Sequence, residues 1–281
     1  MSKTLAGLFR LARPLNCGIA ALSVLVGAVT AGLLVPNAEI AVAALAAACI
    51  AAAGNVYNDV RDVEIDRINQ PGRPLPAGEV GSRMALVAAI LLAVVGLVAS
   101  GWVGLLPLLV AAFTLVLLYL YSRYLKPTTL WGNLTVAVAG ATAFPFGALA
   151  AGTWGRSWIP AGFALLFHLG REIIKDLEDV AGDRAAGAHT LPLRWGTAAA
   201  VWSSTSIFLI LFILTAMPAL MGTYGLVYLT LVAIMNLVVA VTLAGLGLGR
   251  QPGSPPLFPA SILLKGCMVL GLAAVVAGEL L

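Results

Sequence analysis

Residues 39–66, EIAVAALAAACIAAAGNVYNDVRDVEID, run from a predominantly apolar segment directly into a group of four acidic residues. The apolar part, residues 39–58, has about the ~20 residues that an α-helix needs to cross a bilayer. Charged groups are costly in contact with lipid. The stretch therefore predicts a membrane-spanning helix that carries concentrated negative charge where it leaves the membrane.

The composition extends this interpretation to the whole chain. Of its 281 residues, 61% are hydrophobic and only 10% are charged, whereas about a quarter of the residues in a soluble domain are charged. Nine apolar segments can be distinguished, at residues 16–36, 39–58, 84–101, 103–122, 130–150, 157–175, 198–219, 223–248 and 258–279. The ~10-residue alternation of a membrane barrel is missing from the sequence. We therefore predict an all-α, polytopic membrane protein with nine transmembrane helices.

The basic residues are concentrated on one side of the predicted helices. They precede the first segment or fall around every second connection: Lys3, Arg10, Arg13, Arg61, Arg67, Arg73, Arg83, Arg123, Lys126, Arg171, Lys175, Arg184, Arg194, Arg250 and Lys265. The opposite loops carry only Arg156. Because basic residues accumulate on the cytoplasmic side of membrane proteins, we expect a multi-pass protein of the cell membrane with its N-terminus in the cytoplasm and its C-terminus outside.

The acidic residues are confined to two windows. Ten of the twelve lie after the second or the sixth segment, at Asp59, Asp62, Glu64, Asp66 and Glu79, and at Glu172, Asp176, Glu178, Asp179 and Asp183. A spacing of four segments between the windows predicts two four-helix halves plus one terminal helix, since internal duplication is common in membrane proteins. We expect the halves to enclose a central cavity that opens to the cytoplasmic side.

Helical geometry predicts one acidic face in each window. At about 100° per residue, one face carries Asn55, Asp59, Asp62 and Asp66, and the other carries Glu172, Asp176, Asp179 and Asp183. Like charges on one face repel each other, and Mg²⁺ bound to carboxylates and to a substrate phosphate would relieve the repulsion. Basic residues nearby could bind the remaining phosphate charge; these are Arg73, Arg123, Lys126 and Lys175. The alternative is that both windows are ordinary solvated loops.

Two stretches, NDVRDVEID with RPLPAG and KDLEDVAGDRAAGAHTLP, resemble the aspartate-rich motifs of the UbiA superfamily of intramembrane prenyltransferases. The resemblance implies metal-binding residues at Asn58, Asp59, Asp62, Asp66, Asp179 and Asp183, to which the acidic face adds Asp176. The stretch LARPLN implies that Asn16 lines the substrate pocket, and YLYSRYLKPTTLWGNLTVA implies site roles for Tyr121 and Lys126. Because the resemblance covers nearly the whole chain, we expect residues 1–281 to form a single transmembrane prenyltransferase domain.

Members of this superfamily transfer a prenyl chain from a prenyl diphosphate to an acceptor, with Mg²⁺ as the cofactor. The stretch REIIKDLEDVAGDRAAGAHTLPLRWG is most similar to members that attach the second geranylgeranyl chain of ether lipids. This implies geranylgeranyl diphosphate as donor and the hydroxyl of geranylgeranylglyceryl phosphate as acceptor. Arg171 and Lys175 would suit an acceptor that bears a phosphate. The alternative within the superfamily is an aromatic acceptor, as in quinone or chlorophyll pathways.

The expected roles follow from this chemistry. Asp62 and Asp179 would hold Mg²⁺ against the leaving diphosphate, while Arg73 and Lys126 stabilise its charge. Tyr121 would face the developing allylic cation, and the substrates would also contact Asn16, Asn55, Lys175 and Arg171. We expect membrane lipids around the protein and no nucleic-acid ligand, and the sequence indicates no protein partner.

A cation or phosphate transporter is the alternative from another class of proteins. Transporter sites lie near the bilayer midplane. The acidic residues of this chain collect instead at one membrane face, and the last three apolar segments contain almost no charge. The sequence therefore favours an enzyme.

Overall fold

The computed structural model describes residues 3–33, 37–247 and 260–281, and the elements of this part are helical. The α-helices are α1 Lys3–Ala12, α2 Pro14–Thr30, α3 Ala38–Arg61, α4 Val63–Asn69, α5 Ser82–Val103, α6 Leu105–Leu120, α7 Trp131–Ala141, α8 Ala143–Ala150, α9 Trp158–Glu178, α10 Val180–Ala185, α11 Leu191–Trp195, α12 Thr197–Leu220, α13 Leu226–Gly247 and α14 Ala260–Leu280. A π-helical turn, Tyr121–Leu125, extends α6.

Each of the nine predicted segments coincides with a helix or with two consecutive helices. Within the described ranges, seven spans are long and apolar enough to cross a bilayer: α3, α5, α6 with its π-helical turn, α7 with α8, α12, α13 and α14. The pair α1 and α2, bent by 43°, can form an eighth. The remaining segment is α9, whose last two turns contain Arg171, Glu172 and Lys175. The segment ends predicted at residues 34–36, 248 and 258–259 lie outside the described residues.

The helices pack so that the end of the chain returns to its beginning. In the first part of the chain α2 contacts α3, and α3 contacts α5 and α6. In the second part α9 contacts α7 and α12, and α13 contacts α14. Helix α14 also packs against both α2 and α9. The terminal helix therefore connects the two parts of the bundle and forms one wall of the space between them.

Helices α2 and α8 approach each other backbone to backbone because a glycine on each faces the other. A Cβ at Gly27 would overlap the carbonyl group of Phe144, and a Cβ at Gly147 would overlap that of Val24. Small residues allow this close packing in membranes, where van der Waals contact rather than the hydrophobic effect drives helix association. The contact fixes Phe146 in the wall of the central cavity.

Both acidic windows contain a break in a helix. Helix α3 ends before Asp62, which has φ −94° and ψ 3°, and α4 follows. Helix α9 ends before Asp179, with φ −97° and ψ 5°, and α10 follows. The assumption of one uninterrupted helix through each window is therefore wrong. The Asp62 amide still donates to the Asn58 carbonyl at 2.9 Å, so the helix bends at this residue without ending the hydrogen-bonded chain.

A non-helical turn follows the first window. Residues 70–81, which include QPGRPLPAG with its three prolines, are non-helical and connect α4 to α5. Proline lacks the amide proton that a helix needs. The Arg73 carbonyl accepts from the Ala77 amide at 3.0 Å, so the segment is a compact turn that carries Arg73 beside the first window.

We predict that Gly27→Ala and Gly147→Ala each lower the stability of the purified protein. The added methyl group meets backbone atoms, which cannot move aside as a flexible side chain can, and overpacking of this kind costs about 1–3 kcal/mol. The measurement is the thermal unfolding midpoint in detergent, followed by intrinsic fluorescence.

The matched control is Gly18→Ala, in the same helix as Gly27. A Cβ at Gly18 would meet no atom within 4 Å, so its unfolding midpoint should stay unchanged or rise slightly. Equal midpoints for Gly18→Ala, Gly27→Ala and Gly147→Ala would show that the close approach of α2 and α8 is not needed.

Candidate active site

A central cavity of about 430 Å³ lies between the two parts of the bundle. Its lining changes character along α3, from Ala47 and Ile50 to Asn55 and Asn58 as the helix approaches the acidic window. Eight of the residues expected in the site line this cavity: Asn16, Asn55, Asn58, Arg73, Tyr121, Arg171, Lys175 and Asp179. The cavity thus has an apolar part between the helices and a polar part beside both windows.

The three aspartates of the first window are buried. Asp59 and Asp62 are 3% exposed and Asp66 is 4% exposed. A buried carboxylate is tolerated only when it is paired or hydrogen-bonded. Each of the three is paired with at least one cation, and the three cations come from different parts of the chain, so the window draws together several elements.

Asp62 is held by residues of α3 and of the segment after α6. The ammonium group of Lys126 and the side-chain amide of Asn58, at 2.7 Å, both donate to Asp62 Oδ2. The Ser122 hydroxyl donates a long hydrogen bond to Asn58 Oδ1, at 3.4 Å. Asp62 therefore occupies the centre of a small network, directly behind the Asn58 side chain that lines the cavity.

The other two aspartates share the arginine from the turn. Arg73 Nη1 donates to Asp66 Oδ2 at 2.6 Å and to Asp59 Oδ1 at 3.3 Å. Arg13, at the junction of α1 and α2, donates to the same oxygen of Asp59. Burial raises the pKa of Asp66 and outweighs the opposing effect of Arg73. The pKa of Arg73 is itself raised: burial lowers it, but Asp59, Asp66 and Asp179 overcome that effect.

The second window is arranged around Asp179. This residue lines the cavity, and Lys175 Nζ lies 3.9 Å from its carboxylate. Asp183, one turn later, is buried, and burial together with the charge of Asp179 raises its pKa to about 6. Asp176 accepts a hydrogen bond from Asn133 Nδ2 at 2.9 Å and does not line the cavity.

Asn69 connects the two windows. Its side-chain amide donates to the Asp179 carbonyl at 3.3 Å, and its side-chain oxygen accepts from the Gly182 amide at 2.9 Å. A Cβ at Gly182 would overlap the Asn69 side chain. Helix α4 therefore packs directly on α10, which places the two windows side by side at the polar end of the cavity.

The structure does not gather all the expected metal-binding residues at one point. The expected residues form two neighbouring groups. The first contains Asn58, Asp59, Asp62 and Asp66, with Lys126 paired to Asp62. The second contains Asp176, Asp179 and Asp183. Within the described part of the chain, no three His, Cys, Asp or Glu side chains converge at metal-binding distances, and the carboxylates of the first window are turned to cations. Asn55 also has a structural contact, since its amide donates to the Ala12 carbonyl at 3.0 Å.

Sequence reasoning missed Arg13 and Lys265 as site residues. Arg13 has φ 55°, the one positive value among non-glycine residues in the described ranges, and its position before Pro14 disfavours the helical conformation. The Arg-Pro pair was therefore an available signal. Lys265 was counted among the basic residues near the connection before the last helix, within the segment predicted at 258–279; it lies inside α14 and lines the cavity.

Comparison with known proteins connects this geometry to a family. The model of the UbiA prenyltransferase family matches residues 20–258. A digeranylgeranylglyceryl phosphate synthase from Methanopyrus kandleri is 39% identical over 276 residues, which cover 96% of this chain and 98% of the relative.

Solved structures show the same fold. A structure of digeranylgeranylglyceryl phosphate synthase in membranes has a TM-score of 0.74 and 30% identity, with 99% of each chain covered. A UbiA homologue from Archaeoglobus fulgidus, solved with GPP and Mg²⁺, has a TM-score of 0.70 and 21% identity, with 96% of this chain and 99% of that chain covered. The chain is a membrane protein that belongs to the UbiA prenyltransferase family.

Proposed function

We propose that this protein transfers a geranylgeranyl group from geranylgeranyl diphosphate to the hydroxyl of geranylgeranylglyceryl phosphate, in the synthesis of ether lipids. The observation that supports this most strongly is the central cavity, which joins an apolar space between helices to the two aspartate windows. That shape suits a donor with a long hydrocarbon chain and an anionic head. The name of the Methanopyrus kandleri relative supports the choice of acceptor.

The donor set of the two windows fits Mg²⁺. The groups present are carboxylate and amide oxygens, which Mg²⁺ prefers. We propose that the metal is held by Asn58, Asp59, Asp62, Asp66, Asp179 and Asp183. Asp176 would join them by giving up its hydrogen bond from Asn133 and binding the metal instead. The Archaeoglobus fulgidus homologue was solved with Mg²⁺ and GPP. When bound, the metal would neutralise the charge that develops on the leaving diphosphate.

The chain's own residues would position the reaction. Arg73 and Lys126 are charged groups that can turn from Asp66 and Asp62 to phosphate oxygens once the metal binds those carboxylates. The C1–O bond of the donor breaks, the electron pair leaves with the diphosphate, and C1 bonds to the acceptor oxygen, which loses its proton to the released diphosphate. Tyr121, in the cavity wall, presents an aromatic ring toward the positive charge on C1, and Asn16 and Asn55 orient the substrates.

Water has to be kept away from such a cation. The apolar part of the cavity, formed by residues such as Ile19, Ile50, Leu118 and Phe146, would hold the prenyl chain and exclude water from C1. The reaction at C1 would then take place at the polar end of the cavity, and the prenyl chain would lie between the helices.

The same proposal covers the arrangement in the membrane. We propose that residues 1–281 form one domain in which α9 and the bent pair α1 and α2 complete nine crossings. The polar end of the cavity then faces the cytoplasm, with the N-terminus on the same side and the C-terminus outside. The distribution of basic residues supports this orientation.

Two other functions are weaker. An aromatic acceptor would not require the basic side chains of Arg171 and Lys175 in the cavity wall. A cation or phosphate transporter fits poorly with membership of a prenyltransferase family. Phosphate-bearing lipid is therefore the acceptor that the cavity and the relatives favour together.

An acceptor comparison tests the function. Purified protein with Mg²⁺ and radiolabelled geranylgeranyl diphosphate should transfer the label to geranylgeranylglyceryl phosphate and not to 4-hydroxybenzoate. The reason is that only the lipid phosphate matches both the apolar and the basic walls. The readout is labelled product on thin-layer chromatography.

Transfer to the aromatic acid in preference to the lipid phosphate would replace the proposed acceptor. Cation flux in liposomes without release of diphosphate would contradict the enzyme altogether.

Single substitutions test the two windows. We expect Asp62→Asn and Asp179→Asn each to lower turnover about 100-fold or more, because each removes a group that stabilises the leaving diphosphate. Turnover is measured as release of diphosphate at saturating donor and acceptor, after the purified variants have been shown to run as folded protein on size exclusion.

Glu64→Gln is the matched control. Glu64 belongs to the first window, but its side chain is 79% exposed and pairs with Arg67. This variant should keep normal turnover. Near-normal turnover of both aspartate variants would remove the metal-binding role from the two windows.

A further inference from the structure

Lys265 is the basic residue of a helix that is otherwise suited to cross a bilayer. Helix α14 is one of the seven candidate spans, and a charged side chain in such a helix is costly unless it has a function. Lys265 lines the central cavity together with Ser261, Ile262 and Met268. These positions lie on one face of the helix, so the ammonium group belongs to the cavity rather than to the lipid.

The surroundings of Lys265 are mostly positive. Arg171, Arg13 and Lys175 are the cations that act on it, and Glu172 is the neighbouring anion. That carboxylate is already engaged: Arg171 Nη1 lies 2.6 Å from Glu172 Oε1, and Lys175 Nζ lies 3.6 Å from Oε2. Among the described residues, Lys265 has no hydrogen bond and no ion pair.

The start of α14 is fixed against α9, so the position of Lys265 is not arbitrary. Glu178 accepts from the Ser261 amide at 3.0 Å and from the Ser261 hydroxyl at 2.6 Å. Arg171 Nε donates to the Ser261 carbonyl at 3.3 Å. These bonds place the α14 face with Lys265 beside the α9 face with Arg171.

The described lining of the cavity therefore has more positive than negative charge, with five cations and three carboxylates: Arg13, Arg73, Arg171, Lys175 and Lys265, and Glu172, Glu178 and Asp179. Glu172 is already bound by Arg171, and Glu178 by Ser261. A bound anion would reduce the positive excess around Lys265. A phosphate group accepts charge-assisted hydrogen bonds from ammonium and guanidinium groups. Arg73 and Lys126 belong instead to the first aspartate window, which is formed by other helices.

We propose that Lys265 and Arg171 form a subsite for the phosphate of the lipid acceptor, separate from the groups that bind the donor diphosphate. This inference rests on the proposed function and specifies how its acceptor is recognised. The phosphate on the acceptor would select it over an uncharged lipid alcohol and would hold its free hydroxyl toward C1 of the donor.

Lys265→Met keeps the length of the side chain and removes its charge. We expect the KM for geranylgeranylglyceryl phosphate to rise about 10- to 100-fold, the effect of losing a charge-assisted hydrogen bond. The KM for geranylgeranyl diphosphate should change less than twofold. Lys265→Arg should restore most of the affinity for the acceptor, and Arg83→Met, at an exposed cation outside the cavity, should leave both constants unchanged.

A second acceptor separates binding of phosphate from a general effect on the cavity. With geranylgeranylglycerol, which lacks the phosphate, wild type and Lys265→Met should have the same KM, because the group that Lys265 recognises is missing. A rise in the KM for the donor would assign Lys265 to the diphosphate site. An unchanged KM for both substrates, or an equal loss with both acceptors, would also overturn the subsite. If the wild type transfers nothing to geranylgeranylglyceryl phosphate, the proposed function fails first and the subsite fails with it.

Discussion

The buried ion pairs of the first aspartate window are the interactions on which the site depends. Three carboxylates at the end of a candidate membrane span are removed from water, and each would destabilise the fold strongly if left alone. Their cations come from the α1–α2 junction, from the turn after α4 and from the segment after α6. The chain can bury these aspartates only when all three segments are in place, so the pairs that stabilise the fold also assemble the polar end of the cavity.

The two windows have the same local construction. Each contains a helix break at an aspartate, Asp62 or Asp179, with nearly the same backbone angles, and each places a further aspartate one helical turn later. Because Asn69 binds the backbone of α10, the windows face the same space. The structure thus brings together two sets of carboxylates, which repel each other, and pairs them with cations that offset the repulsion.

Much of this arrangement could be predicted from the sequence. The apolar segments located the helices because their lengths match a bilayer, and the confinement of acidic residues located both windows. Sequence periodicity could not reveal the bends at Asp62 and Asp179, since both residues keep a helical hydrogen bond to the residue four positions earlier. Periodicity also could not show that the carboxylates are paired, although Asp62 is bound to Lys126 and Asp66 to Arg73. Lys265 was missed because the end of an apolar segment does not show which face of the helix meets the cavity.

Binding of the donor is the most direct test of the claim that both windows act on one diphosphate. The measurement is the Mg²⁺-dependent affinity for a thio-analogue of geranylgeranyl diphosphate whose C1–S bond does not ionise, by isothermal titration calorimetry. The proteins are wild type, Asp62→Asn, Asp179→Asn and the double variant. A shared site predicts that either single substitution removes most of the Mg²⁺-dependent affinity and that the double variant is little worse. Independent, additive losses, or full affinity in either single variant, would contradict the account.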